Sequence, residues 1–546
     1  MALIRSIAET LTLDNDTTEL SPELCSPQSR SSSRTDPSLA GTRVSTDTSN
    51  PSGQAPSYQT HSLSPQLVSL HGASARPRPV VPRAYSPAFT TNEAEMGYLM
   101  GYMEYVFPIM FPFYKPTILE GGRTWLMVLA MKNVGFSKSI TSLSSYFFSV
   151  IPVISGSAHN ACFTKTWQEL CHQTNTALAS VQQDLLQIRF QGIDTNLQDS
   201  VHLLANIVQL LAVERELFTS SEWKVHLKAA VGLLGQIVLH YGVNIRGECP
   251  NAGTVIEKLA DPIASPDLAA TPLKAEQAAF RFFSAFLVGT DVIASTCLEE
   301  PSELQQYLSE EVLGNQDQRY VLSLETVTGC QDWVFRLIGD ISAFNTWKKI
   351  KKRTGELAIE EVHSRMRNID QRWQKHTDHL GQQCSRHQQG IDTISGIYGP
   401  LESVLRDTYY SQTHQLSSSD MHVRVTQIWA YAVRTYLLVT TFGWQPRHPD
   451  ILSNIRHTVS LLNDVTSPSW LRSLIWPICV TGCIAVDDHR PIIRSILERA
   501  AALQTLGSLR RASSIIERVW AQQVCDVSNW DYAQCFNVLG YAVLLV

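Results

Sequence analysis

The sequence contains none of the short motifs by which most enzymes are recognised. Its 546 residues include no phosphate-binding Walker loop, no GxGxxG after a strand pattern, no GxSxG elbow and no HExxH zinc motif. A helical cyclase would hold magnesium with a cluster of three acids, but Asp487 and Asp488 have no third acid in the three residues that follow. We therefore expect a chain that is not an enzyme and that carries no cofactor.

Cysteine is present but never in a metal-binding pair. The 11 cysteines include no CxxC, whereas a binuclear zinc cluster needs two such pairs, each with a further cysteine, so that thiolates bridge two ions. The closest two, Cys479 and Cys483, lie in an apolar stretch, where small buried thiols are the usual arrangement. The sequence therefore contains no recognisable zinc-dependent DNA reader. Scattered cysteines in odd number are typical of reduced thiols.

A second grouping of metal-ligand residue types does not converge. His376, His379, Cys384 and His387 share roughly one face of a predicted helix. A rise of about 1.5 Å per residue separates the first from the last by about 16 Å. Zinc ligands lie about 2 Å from their ion, so these four side chains cannot share one. We interpret them as part of a solvated helix face and expect no metal.

Long apolar runs and an excess of positive charge are also missing. The formal net charge is -6, which argues against a chain that binds nucleic acid over its whole surface. A membrane-spanning helix needs roughly 20 apolar residues, and the best candidate, residues 96–114, is interrupted by Glu104, Pro108 and Pro112. The first 13 residues hold no secretory apolar core. We expect a soluble intracellular protein without a membrane partner.

The N-terminal segment, residues 1–91, has the composition of a disordered tail. Between positions 21 and 90 there are 16 Ser, 10 Pro and 3 Gly. Together, Ser, Pro and Gly exceed the roughly 25–30% of positions at which low complexity is expected. Such a segment buries too little apolar area to offset the entropy lost on ordering.

Residues 92–546 are predicted to form an all-α domain of stacked helices. Apolar residues recur there at three- and four-residue intervals, and strict alternation typical of strands is nearly absent. The predicted helices span residues 93–106, 125–136, 140–148, 158–190, 197–218, 223–241, 276–297, 325–353, 356–387, 421–442, 450–464, 470–486, 491–506, 509–522 and 530–545.

The helix predicted at residues 325–353 combines a core stripe with the densest basic cluster in the chain. The stripe consists of Val327, Cys330, Val334, Leu337, Ile338, Ile341 and Phe344. The basic cluster consists of Lys348, Lys349, Lys351, Lys352 and Arg353. Cations in a last turn interact favourably with the negative end of the helix dipole. A run of this kind also serves in other proteins as a nuclear-import patch.

The helix predicted at residues 276–297 is rich in phenylalanine. Phe280, Phe282, Phe283 and Phe286 are either ordinary core residues or the lining of a pocket for a small apolar effector. Both interpretations require neighbouring helices to cover the rings.

Nine segments, taken in order, carry a resemblance to a known family. They are residues 106–114, 122–126, 222–230, 282–295, 329–333, 343–349, 443–446, 474–479 and 539–546. Together they resemble the fungal-specific transcription factor domain, the helical regulatory region downstream of the Zn2Cys6 cluster in many fungal regulators. The resemblance is greatest to the branch that contains the acriflavine-sensitivity regulator and a sexual-development regulator.

The resemblance implies a nuclear transcription regulator with a helical effector- or partner-binding domain. It implies as partners the transcription machinery or another zinc-cluster regulator. The sequence departs from the family at its N-terminal side, where Cys25 is the only cysteine before residue 162. DNA would therefore be reached indirectly or through a missing upstream segment. The alternatives are a non-DNA-binding corepressor or titrating partner of a zinc-cluster factor, and a helical ligand-binding protein or enzyme.

Overall fold

Helices joined by turns and irregular segments, with no strand, make up the part of the chain that a computed structural model describes. These residues are 93–117, 120–150, 160–193, 196–217, 222–243, 250–260, 272–308, 322–387, 418–486, 488–500, 507–522 and 530–546. The predicted all-α class is confirmed. The predicted tail, residues 1–91, lies outside the described residues.

The helices follow the predicted order closely. They are α1 Glu93–Gly101, α2 Phe107–Met110, α3 Thr124–Lys132, α4 Val134–Ser145, α5 Asn160–Gln191, α6 Leu197–Leu217, α7 Trp223–Tyr241, α8 Ala252–Lys258, α9 Ala275–Leu298, α10 Glu325–Thr328, α11 Asp332–Thr354, α12 Ile359–His387, α13 Ser418–Phe442, α14 Pro449–Asn463, α15 Pro468–Ser473, α16 Ile475–Ile484, α17 Arg490–Arg499, α18 Gly507–Ala521 and α19 Tyr532–Phe536. A π-helical turn, Tyr102–Val106, joins α1 to α2, and another, Tyr146–Val150, follows α4.

Local chemistry explains several of the helix ends. The side chain of Asn133 accepts a hydrogen bond from the backbone N–H of Phe136 at the start of α4, and Asn251 does the same for Thr254 at the start of α8. Such caps satisfy one of the backbone donors that a first helical turn leaves without a partner. At the other end, α11 stops at Gly355, whose φ of 72° is a left-handed conformation that glycine adopts without strain.

Helix α9 is the central element of the packing. It contacts α3, α6, α7 and α8 on the N-terminal side of the sequence and α10, α11 and α19 on the C-terminal side. Nearly every residue of α9 is buried, from Glu276 to Cys297. A helix that is covered all round needs neighbours on every face, and these seven helices supply them.

One helix is apolar enough, by length and composition, to cross a membrane. It is α9, and 94% of its most apolar window is buried inside the fold. The core helix of a globular fold has this composition too, so burial within the protein accounts for it. Among the described residues no other helix meets the same criterion.

The helix predicted at residues 325–353 is divided in two. All seven residues of its apolar stripe are buried, as predicted. The chain, however, leaves the helix at Gly329, where φ is 77°, and resumes at Asp332. A Cβ at Gly329 would stand 2.6 Å from the ring of Phe113, so this position combines a left-handed backbone with a close approach. The three-and-four pattern continued across the break, and for that reason periodicity did not reveal it.

Two further helices are shorter than predicted. The helix predicted at residues 470–486 is broken at Leu474 into α15 and α16, because Pro477 has no N–H to donate to the carbonyl of residue 473. The helix predicted at residues 530–545 ends at Phe536. Beyond it the chain turns through Gly540, whose φ is 89°, and Ala542 to Leu545 are buried without helical structure.

Candidate functional site: a cavity beside a buried charge cluster

Four charged side chains form a cluster inside the fold. Arg215 and Glu216 come from the last turn of α6, Arg472 from α15 and Arg511 from α18. Each is at most 7% exposed. Because buried charges are stable only when they are paired and hydrogen-bonded, their arrangement must be explained contact by contact.

One carboxylate oxygen holds the cluster together. Oε1 of Glu216 accepts hydrogen bonds from Arg472 Nη2 at 2.5 Å, from Ser508 Oγ at 2.9 Å and from Arg215 Nε at 3.0 Å. Arg472 also donates from Nη1 to the carbonyl of Met110 at 2.9 Å. Arg511 donates to the carbonyl of Arg215. The cluster thus joins α2, α6, α15 and α18 through polar contacts in an otherwise apolar interior.

The cluster has three cations for one anion. Burial raises the pKa of Glu216, but the guanidinium groups of Arg472, Arg215 and Arg511 outweigh it and hold that pKa at about 2. Burial lowers the pKa of Arg215 to about 10, against the attraction of Glu216. Glu216 is therefore ionised near pH 7, and the four side chains together bring more cationic than anionic groups.

A cavity of about 50 Å³ lies directly beside this cluster. Arg215 and Arg472 form its charged side. Residues of α9 form a second side, and aromatic rings of α11 and α13 form a third. The residues from α9, α11 and α13 are Phe286, Gly289, Thr290, Ile293, Phe335 and Trp429. The last two residues of the sequence, Leu545 and Val546, also line it.

Three nitrogen atoms that belong to residues lining the cavity make no hydrogen bond to any described residue. They are Nε of Arg472, Nη2 of Arg215 and the indole Nε1 of Trp429. Nη2 of Arg215 is 2.8 Å from Oε1 of Glu216, as part of the ion pair, but its geometry makes no hydrogen bond. Each of the three side chains is more than nine-tenths buried. Buried donors without partners are uncommon and call for an explanation.

The four phenylalanines predicted to line an effector pocket have different positions. Phe286 lines the cavity, and its ring lies 5.7 Å from the guanidinium carbon of Arg215. Phe280, Phe282 and Phe283 are buried but do not line this cavity. Phe282 and Phe283 belong instead to an aromatic cluster with Trp125. The effector pocket therefore stays a prediction, to which the structure adds the position of Phe286.

The predicted import patch occupies the last turns of α11. Lys348 donates from Nζ to the carbonyls of Thr440 and Thr441, at 2.6 and 2.9 Å, and so caps the end of α13. Lys349 pairs with Glu299 and Asp531, and Lys351 pairs with Glu356. Lys352 and Arg353 are exposed. The part of the patch that is presented to solvent is thus its C-terminal half, and its import role stays a prediction.

The predicted polar face of α12 carries no metal-ligand cluster in the part that the structure describes. His376 stacks on the ring of Trp333, with ring centroids 4.8 Å apart. The side chains of Cys384 and His387 lie outside the described set. No group of three or more His, Cys, Asp or Glu residues suited to a metal ion occurs among the residues that the structure describes.

The charge cluster and the cavity were not found from the sequence. Arg215 and Glu216 look like the solvent face of a helix, although every residue of α6 from Ser200 to Val213 is buried. The largely apolar sequence of that stretch was the one available signal. Arg472 and Arg511 are 256 and more residues away from their partners in α6, so no local pattern could have paired them.

Comparison with known proteins agrees with the fold and the length of the described domain. The family described as "Fungal specific transcription factor domain" matches residues 97–546. No solved structure matches the chain.

Several curated relatives are named as fungal regulators. The chain is 31% identical to "Transcription factor dibT" of Pestalotiopsis microspora over 488 residues, 88% of this chain and 74% of the relative. It is 23% identical to "Trichothecene biosynthesis transcription regulator TRI10" of Trichoderma arundinaceum over 436 residues, 79% of this chain and 91% of the relative. It is 23% identical to "ustiloxin B cluster transcription factor ustR" of Aspergillus flavus over 445 residues, 79% of this chain and 68% of the relative. The chain belongs to the fungal-specific transcription factor domain family.

Proposed function

We propose that this protein is a nuclear regulator of a fungal biosynthetic gene cluster that acts through its helical domain, by binding other molecules and without catalysis. The observation that carries the proposal is the family match over residues 97–546, which spans nearly all of the described helices. The names of two relatives, a trichothecene biosynthesis regulator and a ustiloxin B cluster factor, supply the link to biosynthetic clusters.

The proposed mechanism assigns separate roles to two parts of the chain. Residues 92–546 form the helical body, which binds a partner or a small effector and shifts a conformational equilibrium. Residues 1–91 form a Ser/Pro-rich tail. With no CxxC in this sequence, contact with DNA runs through another zinc-cluster regulator, through the transcription machinery or through a segment encoded upstream.

A transcript measurement in the source fungus tests the proposal. Deletion of the gene should change the abundance of transcripts from one contiguous set of biosynthetic genes, and reintroduction of the wild-type chain should restore them. Unchanged transcripts under every condition in which the protein is present would rule the proposal out.

Nuclear import has its own test, designed from the contacts of the basic run. Lys348 and Lys349 stabilise the fold, so their removal would confuse misfolding with failed import. We propose instead the double change Lys352→Ala and Arg353→Ala, at two exposed positions. The matched control removes two exposed cations from α12, Arg367→Ala and Lys375→Ala. Loss of nuclear fluorescence in the first variant with retention in the control supports the patch; equal retention in both refutes it.

A second candidate function follows from the missing CxxC pairs. A non-DNA-binding corepressor or titrating subunit would bind a zinc-cluster relative and lower its activity. Overexpression should then reduce the transcripts that deletion increases, and the chain should co-purify with a zinc-cluster protein. An in-frame upstream exon with two CxxC pairs would instead favour direct DNA binding.

A further inference from the structure

We propose that Thr354, the last residue of α11, is a phosphorylation site for a Ser/Thr protein kinase that selects its substrates by their cations, and that the phosphate weakens the nuclear-import patch. The phosphorylation is a property of the folded chain and does not depend on what the protein regulates. Its effect on import rests on the proposed function, so the two parts have separate tests.

Two Ser or Thr residues of the sequence have a Lys or Arg at both the third and the second position before them. They are Thr354, after Lys351 and Lys352, and Ser513, after Arg510 and Arg511. A kinase whose substrate groove carries carboxylates would bind either pair of cations by charge complementarity. The sequence alone therefore gives the two hydroxyl groups equal standing.

Thr354 lies in an exposed stretch of the chain. All residues from Lys352 to Glu356 are exposed, and Ile350 before them is 51% exposed. Oγ1 of Thr354 donates to the carbonyl of Lys351 at 3.2 Å on the protein surface, where water can replace that bond. Segments with exposed hydrogen bonds and few buried apolar side chains open locally at small cost in free energy. A kinase, which holds the residues around its target hydroxyl in an extended conformation, can therefore engage this segment without unfolding the domain.

The backbone beside Thr354 already departs from the helix. Gly355 has a φ of 72°, and its N–H donates to the carbonyl of Lys352 at 3.3 Å. The N–H of Glu356 donates to the carbonyl of Lys351 at 3.0 Å. A closure of this kind ends a helix. The last turn, residues 351–354, is thus all that has to unwind for the recognised cations and the hydroxyl to become extended.

Ser513 has the same cations before it but lies inside a packed helix. Its neighbours Arg511, Ile515 and Ile516 in α18 are buried. Arg511, one of the two cations that a kinase would recognise, donates to the carbonyl of Arg215 in the charge cluster. Extending this segment would remove Arg511 from that cluster and expose apolar side chains to water. The fold therefore withholds Ser513 and presents Thr354.

The transfer is a substitution at phosphorus. Oγ1 of Thr354 attacks the γ-phosphorus of Mg²⁺-bound ATP, so that an oxygen–phosphorus bond forms while the bond to the oxygen bridging the β- and γ-phosphates breaks. ADP leaves, and the hydroxyl proton passes to a carboxylate of the kinase. The phosphothreonine carries a charge of about −1.5 to −2 at pH 7.

The phosphate would stand among the cations of the import patch. Lys352 and Arg353, the exposed half of that patch, come immediately before Thr354. The new negative charge offsets these two positive charges, and it lies at the C-terminal end of a helix, where an anion is disfavoured. An import receptor that selects cations should then bind the segment less tightly, so we expect the unphosphorylated chain to be the one that enters the nucleus.

Peptide mapping of the purified full-length chain by mass spectrometry tests the phosphorylation. The probe is the catalytic subunit of cAMP-dependent protein kinase, which selects cations at these two positions, with Mg²⁺ and ATP. We expect phosphate on Thr354 and none on Ser513. Thr354→Val, which removes an exposed hydroxyl and keeps the shape of the side chain, should lose this phosphate, and Ser513→Ala should keep it. Absence of phosphate from Thr354 in the wild-type chain overturns the proposal.

Two synthetic peptides separate the effect of the sequence from that of the fold. Peptides of residues 348–358 and 507–518 hold the same cations without the surrounding helices, and the probe kinase should phosphorylate both. Equal phosphorylation of Thr354 and Ser513 in the full-length chain would show that the fold does not select between them, which contradicts the argument from exposure.

Recognition by charge is tested in the full-length chain by the double change Lys351→Gln and Lys352→Gln. Removal of both cations should lower kcat/KM for phosphorylation of Thr354 by about tenfold or more, because charge pairs steer the encounter and stabilise the complex. The double change Arg367→Gln and Lys375→Gln, at exposed positions of α12, is the matched control and should leave kcat/KM unchanged. Equal rates for the two double variants overturn recognition through Lys351 and Lys352.

Nuclear fluorescence of tagged variants tests the effect on import. Thr354→Asp places a negative charge beside the patch and should lower the nuclear fraction, whereas the isosteric and neutral Thr354→Asn should not. Equal nuclear fractions for these two variants overturn the control of import by the phosphate. If the Lys352→Ala and Arg353→Ala double variant stays nuclear while the probe kinase still modifies Thr354 in the wild type, the import patch fails and the phosphorylation site stands.

Discussion

The two halves of α9 lie in surroundings of opposite kind. In the N-terminal half, Phe282 is closely packed among aromatic rings, 4.7 Å from Tyr114, 4.9 Å from Phe111 and 5.1 Å from Trp125 by ring centroids. In the C-terminal half, from Phe286 to Ile293, the same helix borders a cavity and a cluster of charges. Both halves are equally buried. Burial alone therefore does not indicate function; what lies opposite the buried surface does.

The largest loss of stability is expected from a change in the charge cluster that borders the C-terminal half of α9. Glu216→Leu leaves the buried guanidinium groups of Arg215 and Arg472 without their shared carboxylate and should lower the free energy of unfolding by about 4–5 kcal/mol. Urea denaturation followed by far-UV circular dichroism measures it. Glu361→Leu, which breaks the exposed pair with Arg365, is the control and should cost under about 1 kcal/mol. Similar costs at the two positions would mean that the cluster is not a structural centre.

On the aromatic side, Phe282→Ala should lower the free energy of unfolding by about 3–4 kcal/mol. The change removes a ring from a close-packed cluster and leaves a void that its neighbours fill incompletely. Phe190, which is 83% exposed near the end of α5, supplies the control: its change to Ala should cost under about 0.5 kcal/mol. A small loss at Phe282 would show that the aromatic half also tolerates empty space, which would weaken the contrast between the two halves.

The charge cluster and the aromatic half of α9 should also differ in how their contributions to the free energy of unfolding change with pH. Glu216 has a pKa of about 2 in the folded protein against an ordinary value of 4.5. A depressed carboxyl pKa contributes stability above about pH 4.5, and this contribution is lost as the pH falls through about 2; it is on the order of 3 kcal/mol. The difference in unfolding free energy between wild type and Glu216→Gln should therefore shrink between pH 6 and pH 2.5. The cost of Phe282→Ala should stay constant over that range, and parallel behaviour of the two variants would contradict the assignment.

The smallest effect is expected at a buried hydrogen bond within the aromatic cluster, between Trp125 and Tyr114. Trp125 Nε1 donates to the hydroxyl of Tyr114 at 3.1 Å, and both groups are buried. Tyr114→Phe leaves this indole N–H without an acceptor and should cost about 1–2 kcal/mol in unfolding free energy. Tyr105, which is 58% exposed, gives the matched change to Phe, with an expected cost near zero. Equal denaturation midpoints for the two variants would show that the Trp125 hydrogen bond adds nothing.

The sequence predicted the helices well because their signal is local. The helix α7 was placed at its observed bounds, and α9 within one residue at each end. Breaks were missed where one residue changes the backbone without changing the apolar spacing, as at Gly329, or where a proline acts on the turn before it, as at Pro477.

The candidate site could not be predicted in full, because it brings together residues that lie far apart in the sequence. The phenylalanine-rich helix was expected to serve a pocket, and Phe286 does line one. Its charged wall comes from α6 and α15, which lie far apart in the chain. Whether Arg215 is solvated or buried is decided by what packs over α6, and that information is spread over hundreds of residues.

The order of synthesis gives the charge cluster a further consequence. Arg511 is 296 residues beyond Arg215, to whose carbonyl it donates. At about 5–20 residues per second, a ribosome needs about 15–60 s to bridge that distance. During this interval Arg215 and Glu216 at the end of α6 have been synthesised, but Arg511 has not. Chaperones thus have a defined window in which to act, and a premature stop codon shortly before Arg511 should leave a product that is recognised and degraded.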